Sequence, residues 1–378
     1  MKIGIDARMY GNRQTGIGNY IKHLIKYLGQ LDQANEYVIF LMEPMYSEFI
    51  CPNSRFSKVL VKSRWYSWQE QLILPWQLYK QKLDLIHFPH FNSPLFYRGR
   101  SVCTIHDITP YFFPGHKMTS IIRRLGFRLV FGNTVRHAQK VFAVSEHTKK
   151  DIIKYFKIKE EKIIVTYEGV EDHFRIINDE QKINELKEKY HITKPFIFYV
   201  GVWRNHKNLV SLIKAFDLLL RKYNLNYQLV LGGKEDPYYP EIRQTWESLG
   251  LQHDIIRPSF IQEEDLPYFY NAADLFVIPS FYEGFGLIGL EAMACGTPVT
   301  ASDITSLPEV LGSAARYFDP QDPESMARVM RGVLTNENER AEMKKQGLEQ
   351  IKKYSWLRCA EQTLAVYKEI GLKYKPLI

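Results

Sequence analysis

Short apolar runs alternate along the whole chain with segments in which apolar residues recur every three or four positions. Residues 2–6 read as a strand. After a polar stretch at 7–15, the run Gly16-Ile17-Gly18-Asn19-Tyr20 opens a helix with Ile17, Ile21, Leu24, Ile25 and Leu28 on one face. Further strand-like runs fall at 37–42, 58–61, 85–88, 102–106, 141–144 and 163–167, with helical patterns between several of them. Such alternation predicts a parallel sheet covered by helices on both faces. The pattern loosens over 169–182 and passes through a short charged helix ending near Tyr190. It then restarts at 195–201 with a strand, a polar loop to Asn208 and a helix over 209–222. Runs at 228–232, 254–256, 275–278 and 298–300 repeat the arrangement. The expected fold class is α/β, with two doubly wound, Rossmann-like domains at 1–175 and 190–355 facing each other across a cleft. A helical segment at 356–378 is expected to cross back onto the first domain.

Length agrees, since 378 residues exceed what one hydrophobic core usually supports. The aromatic fraction of 14% requires rings that are buried, stacked on ligands or placed at an interface. A formal net charge of +8 suits acidic partners such as phosphates, nucleic acid or an anionic membrane surface, and equally a solvated surface. No nucleic-acid recognition motif accompanies it, so nucleic acid is not an expected partner. Cys51, Cys103, Cys295 and Cys359 show no CxxC spacing, which argues against a zinc site or disulfide framework and for four free thiols in a reducing cytoplasm. The N-terminus enters a strand pattern with no signal peptide, and no window approaches ~18 uninterrupted apolar residues. Membrane contact is therefore expected to be peripheral at most. The helical pattern at 117–137 interleaves Lys117, Arg123, Arg124, Arg128 and Arg136 with apolar residues, and two readings stay open: a helix lying on anionic lipid, or a domain helix with a solvated basic face.

Candidate chemistry concentrates in 279–299, which reads as a strand end, a glycine-rich turn and a helix. Glu283 precedes the helix and Glu291 lies about two turns inside it, so the two carboxylates approach a ligand from different sides. Between them the helix N-terminus offers free N–H groups to an anion. In doubly wound sheets ligands bind at the carboxyl ends of strands, where His106 would sit with Asp107 either orienting it or turned into the fold. Arg204 and Lys207 leave the first strand of the second domain and suit phosphate charge. Gly16 and Gly18 open the first helix and allow close approach of a phosphate, or simply form a tight turn.

With these residues in place, the chain resembles, over essentially its whole length, the retaining nucleotide-sugar glycosyltransferases of family 4, which have the GT-B fold. Four matches stand in family order: Thr15-Gly16-Ile17-Gly18, the His106-Asp107 pair, the basic loop from Arg204 to Asn208, and EGFG followed by LEAMACGTPV from Glu283 onward. The resemblance implies that Glu291 accepts hydrogen bonds from the donor ribose and that Glu283 binds a donor-sugar hydroxyl. Main-chain N–H groups of Phe285, Gly286 and Leu287 would hold sugar and phosphate. Arg204 and Lys207, helped by Gly16 and Gly18, would neutralise the diphosphate, His106 would contact the sugar near its reacting face, and Phe260 and Ile261 would line the base. Many relatives carry Arg-Lys where this chain has His206-Lys207, which shifts the arginine to Arg204. No metal or other cofactor is implied. The resemblance implies that the first domain binds the acceptor, a glycan or lipid-linked saccharide, and the second the donor, a nucleoside diphosphate sugar, plausibly GDP-mannose. His106 to Pro110 together with the glutamate motif is similar to bacterial mannosyltransferases of surface-polysaccharide and lipopolysaccharide biosynthesis. Alternatives from other classes are a nucleotide-sugar 2-epimerase of the same fold and a non-catalytic subunit of a polysaccharide assembly.

Overall fold

The computed structural model describes residues 1–11, 15–115 and 120–373. Part of the expected 7–15 loop, the start of the expected 117–137 helix including Lys117, and the end of the 356–378 segment lie outside the described residues. The chain divides into two compact units, Met1–Gly169 with Ser355–Ile378, and Val170–Tyr354.

The first unit holds strands β1 (Lys2–Asp6), β2 (Glu36–Leu41), β3 (Phe56–Leu60), β4 (Leu85–Phe88), β5 (Ser101–Ile105), β6 (Lys140–Ala143) and β7 (Ile163–Val165). They form one parallel sheet in the order β3-β2-β1-β4-β5-β6-β7. Strands buried on both faces need apolar runs, and Val38 to Leu41 and Val141 to Ala143 supply them unbroken, while Leu85 to Phe88 is interrupted by His87. The order reverses between β1 and β4, and the loops at their carboxyl ends form the switch point at which such sheets bind ligands.

The last helix, Trp356–Lys373, belongs to this unit, as the expected return of the chain requires. It packs on the helix Thr15–Leu31, where Trp356 stacks on His23 at 4.7 Å. Tyr367 reaches the sheet itself, with its hydroxyl 2.5 Å from Nδ1 of His87, whose Nε2 meets the Thr104 hydroxyl at 2.8 Å. Burial, with a smaller contribution from His106, pushes His87 down to about 3. That folded-state value lies below the ordinary 6.5, so the unfolded chain binds the extra proton as pH falls through 6.5. Stability is therefore full above this range and is lost toward pH 3, with about 2 kcal/mol gone at pH 5 from this residue alone. Urea unfolding at pH 7.5 and pH 5 should show the loss, and His87→Gln, weaker overall, should show a flatter pH profile. A variant as pH-sensitive as the parent would remove His87 as the cause.

The helix Ile121–His137 departs from an amphipathic reading. Only Phe131, Gly132, Thr134 and Val135 are buried, while Ile121, Ile122, Leu125 and Leu129 stand exposed among the arginines. Among the described residues no helix is long and apolar enough to cross a membrane.

The second unit holds β8 (Phe196–Val200), β9 (Gln228–Gly232), β10 (Ile255–Ser259), β11 (Leu275–Ile278), β12 (Val299–Ser302) and β13 (Ala315–Phe318). These too are parallel, in the order β10-β9-β8-β11-β12-β13, with the reversal between β8 and β11. Strand β13 has no counterpart in the sequence reading, because its four residues Ala-Arg-Tyr-Phe are half-exposed at the centre and carry no apolar run. The unit also begins earlier than the expected 190. Phe174 packs edge-on against Tyr270 at 5.8 Å, and the Ile177 N–H donates to Asn271 Oδ1 at 2.8 Å.

Candidate functional site

At the switch point of the second sheet the loops after β8 and β11 are bolted together. Trp203 is buried edge-on to Trp246, and its Nε1 donates to the Gly232 carbonyl, which fixes the root of the first loop. Asn208 takes the left-handed conformation, φ 56°, and its Nδ2 donates to the carbonyls of Pro279 and Pro320 at 2.9 and 2.8 Å. The Phe281 N–H donates to the His206 carbonyl at 2.7 Å. This framework brings Lys207 and Glu283 into an ion pair, Nζ to Oε1 2.6 Å, with side chains only 15% and 12% exposed. The Ser280 hydroxyl donates to the same oxygen at 2.6 Å, and Ser306 and Thr305 bond the main chain of Glu283. Burial works to raise the Glu283 carboxyl, but the Lys207 charge and the hydrogen bonds from Lys207 and Ser280 outweigh it and hold the group below its ordinary value. Burial, then the Lys207 charge, pushes His206 down to about 3, so the residue beside Lys207 is a neutral imidazole. Arg204 is exposed and forms no ion pair among the described residues.

The glycine turn follows directly. Phe285 is buried edge-on to Tyr354 at 5.6 Å, and Gly286 has φ 91° with room for no Cβ, which would meet Leu307 Cδ2 at 2.7 Å. The positive φ favours glycine there, and from it the helix Leu287–Ala294 starts; the Gly289 N–H turns back to the Gly286 carbonyl at 2.9 Å, which leaves Leu287 and Ile288 to present their N–H groups at the helix start. One turn on, Glu291 is 8% exposed and accepts from the Tyr270 hydroxyl at 2.9 Å. Burial and the Glu291 carboxylate push the Cys295 thiol up to about 12, which leaves it inert. After β10, Phe260 is 66% exposed while Ile261 is buried against Gly232, so only the phenyl ring offers a face to a base.

In the first unit, Gly16 and Gly18 lie in the opening turn of the helix Thr15–Leu31. A Cβ at Gly18 would come within 2.1 Å of the Gly11 carbonyl oxygen, so Gly18 has a packing reason. Gly16 is exposed, and a Cβ there would meet nothing among the described residues within 4 Å. His106 sits at the end of β5 with Nδ1 3.0 Å from Glu168 Oε1 and Nε2 3.0 Å from the Pro89 carbonyl. A carbonyl only accepts, so Nε2 carries a proton. Asp107 does not orient His106; it turns away to accept from the Thr109 N–H at 2.7 Å. Glu168, 62 positions on, does so instead, and no local spacing in the sequence could have paired them.

A basic recess, about 730 Å³ to its open mouth, is lined by residues that include Arg136, Lys140, Lys157, Lys159 and Lys162. It lies where β6 and β7 begin, away from the ligand-binding ends of the strands. Among the described residues no three His, Cys, Asp or Glu side chains group as metal ligands would.

Residues 15–174 match the family described as "Glycosyltransferase Family 4", and 181–350 match "Glycosyl transferases group 1". O-antigen chain mannosyltransferase B of Escherichia coli is 32% identical over 78% of this chain and 76% of its own length. The serotype-specific mannosyltransferase WbdA of Escherichia coli is 35% identical over 73% of this chain, which spans only about a third (34%) of that longer protein. Among solved structures, sucrose-phosphate synthase from Thermosynechococcus elongatus superposes with TM-score 0.81 over 99% of this chain and 100% of its own, at 19% identity.

Proposed function

The chain belongs to glycosyltransferase family 4 and has the GT-B fold, and from that premise we propose that it transfers a mannosyl group from GDP-mannose to a glycan or lipid-linked saccharide with retention of configuration. The observation that carries this reading is the Lys207–Glu283 pair beside the Gly286 turn, at the switch point of the second sheet. An ammonium has three N–H donors, so Lys207 can keep Glu283 and still hold the donor diphosphate. Exposed Arg204 adds a second cation and the first-turn N–H groups of Leu287–Ala294 add a positive dipole end, which suits charge leaving on a diphosphate without a metal. Glu283 keeps a carboxylate oxygen for a sugar hydroxyl, Glu291 takes the ribose, and Phe260 lies against the base. Within the first unit, Gly16 and Gly18 offer main chain to a phosphate and His106 offers a ring nitrogen to a sugar. For His106 this means exchanging the bond from Nε2 to the Pro89 carbonyl for one to a sugar hydroxyl.

In front-face displacement the bond from sugar C1 to the phosphate oxygen breaks, and the acceptor oxygen bonds to C1 on the same face. The acceptor proton leaves on the departing phosphate oxygen. No covalent enzyme intermediate forms, and the gain in rate comes from stabilised diphosphate charge and a positioned acceptor. Both relatives are named mannosyltransferases, which favours mannose and a place in O-antigen polysaccharide assembly. Melting the protein with GDP-, UDP- and ADP-sugars tests the reading, because the true donor stabilises the fold by mass action. GDP-mannose should give the largest upward shift in Tm, and no shift with any sugar nucleotide would overturn the enzyme reading.

A lipid-linked acceptor places the protein in the cytoplasm against the inner face of the membrane. The exposed Ile121, Ile122, Leu125 and Leu129 beside Arg123 and Arg124 suit that contact. The protein should co-sediment with vesicles rich in phosphatidylglycerol and not with pure phosphatidylcholine. Each of Arg123→Glu and Arg124→Glu should weaken this by at least about 1 kcal/mol. Equal sedimentation of the double variant would remove this helix from the proposal.

A further inference from the structure

The first sheet has its own switch point, between the carboxyl ends of β1 and β4, and a recess of about 260 Å³ opens there. Its lining includes Asp6 and Arg8 after β1, Pro89 and His90 after β4, and Trp65 and Asn92. Its base admits little more than one water-sized group.

The polar part is built rather than incidental. Arg8 has a side chain 3% exposed; Nε donates to Asp6 Oδ1 at 2.8 Å, and the terminal nitrogen NH2 meets Asp6 Oδ2 at 2.7 Å and Glu70 Oε1 at 2.6 Å. Glu70 is fully buried and accepts further from Asn92 Nδ2 at 2.6 Å and the Tyr66 N–H at 2.8 Å. Tyr66, next to Trp65, is held at φ 61°, a strained conformation for a bulky residue. Two buried polar atoms of this lining have no hydrogen-bond partner among the described residues: the second terminal nitrogen of Arg8, NH1, and Nδ1 of His90. Burial, then the charges of His106 and Arg8, pushes His90 down to about 3, so its ring is neutral at physiological pH.

The guanidinium N–H can only donate, whereas Nδ1 of the neutral ring accepts with the proton on Nε2 and donates with it on Nδ1. A hydroxyl, with one proton and two lone pairs, satisfies Arg8 and either form of His90, whereas an ionised phosphate or carboxylate serves only one of them. The charges point the same way, because one guanidinium faces two carboxylates and an added anion would be repelled. Half-buried Trp65 at the wall supplies the apolar face on which the C–H side of a sugar ring packs. We propose that this recess is a subsite for a neutral saccharide, seating one hydroxyl of the acceptor between Arg8 NH1 and His90 Nδ1 with the ring against Trp65. The assignment rests on the glycosyltransferase reading and adds the residues that hold the acceptor.

The test uses the full chain with GDP-mannose as donor and methyl α-D-mannoside and its monodeoxy analogues as acceptor probes. Replacing Arg8 would strand Glu70 and Asp6 and endanger folding, so the variants are His90→Phe, which keeps the ring packed on Phe91, and Trp65→Ala. His90→Phe should raise the acceptor KM by about 10- to 100-fold. It should also abolish the parent's discrimination against one particular deoxy analogue, while nucleotide protection in thermal melts, a property of the second unit, persists. Trp65→Ala should raise KM for all analogues alike. Parental acceptor KM and parental discrimination in both variants would overturn the subsite and leave the recess to a resident water. Failure of the glycosyltransferase reading looks different, since the parent itself would then neither melt higher with a sugar nucleotide nor transfer from one.

Discussion

Lys207→Ala is expected to lower kcat/KM for the nucleotide sugar by about 10²- to 10³-fold, the loss typical when one preorganised donor is removed from developing charge. The side chain stands 2.6 Å from Glu283 in a largely enclosed pair, so two effects must be separated. Losing the cation removes phosphate stabilisation, and it also strands Glu283, whose carboxyl is held down against burial chiefly by Lys207. The pairing of Lys207→Ala with Glu283→Gln separates them. If the stranded carboxylate were the cause, the double variant would recover activity. If the diphosphate is the partner, the double variant stays as slow as the single one or slower. Lys207→Arg should fall between, because a planar guanidinium keeps the charge but cannot copy the compact ammonium beside Glu283 and Ser280. Unchanged donor turnover and nucleotide affinity in Lys207→Ala would defeat the assignment.

The two doubly wound sheets were legible because parallel strands covered on both faces carry apolar runs: β8 and β11 are apolar throughout, and β1, β2 and β4 are interrupted only by Lys2, Asp6, Glu36 and His87. Glu283, Glu291 and Lys207 were legible as candidates because each lies in a short, distinctive motif, Lys207 and Glu283 past strand ends and Glu291 one turn into a helix. Their pairing was not, since Lys207 and Glu283 are 76 positions apart and meet only because β8 neighbours β11. The same holds for His106 with Glu168, which needs the ends of β5 and β7 brought together, and for Arg8 with His90, which needs β1 beside β4. Arg8 read as part of a polar loop; its chemistry exists only once Glu70 and Asp6 close around it. Strand order decides which strand ends become neighbours, and a one-dimensional pattern of apolar runs carries little of that order.

Glu291→Gln is expected to weaken donor affinity by about 10- to 100-fold, the worth of charge-assisted hydrogen bonds to a buried carboxylate. The substitution keeps the volume of a side chain that is 8% exposed, so packing within the helix Leu287–Ala294 should survive and folding should be little disturbed. Glu291→Ala is a poorer probe, because it would leave the buried Tyr270 hydroxyl without its acceptor. A carboxylate can accept from both hydroxyls of a ribose, whereas an amide presents one acceptor oxygen and an NH₂ that competes with those hydroxyls as a donor. The variant should therefore lose selectivity as well as affinity. The parent should reject donors with a 2′- or 3′-deoxyribose, and Glu291→Gln should accept them nearly as well as the ribonucleotide. Tyr270→Phe removes only the 2.9 Å bond that fixes the carboxylate, so it should weaken the donor by a smaller factor and keep the discrimination. Full discrimination in Glu291→Gln would show that the ribose lies elsewhere. The Lys207–Glu283 pair would then have to fix the donor through its diphosphate and sugar alone, and the nucleoside would be held chiefly by Phe260.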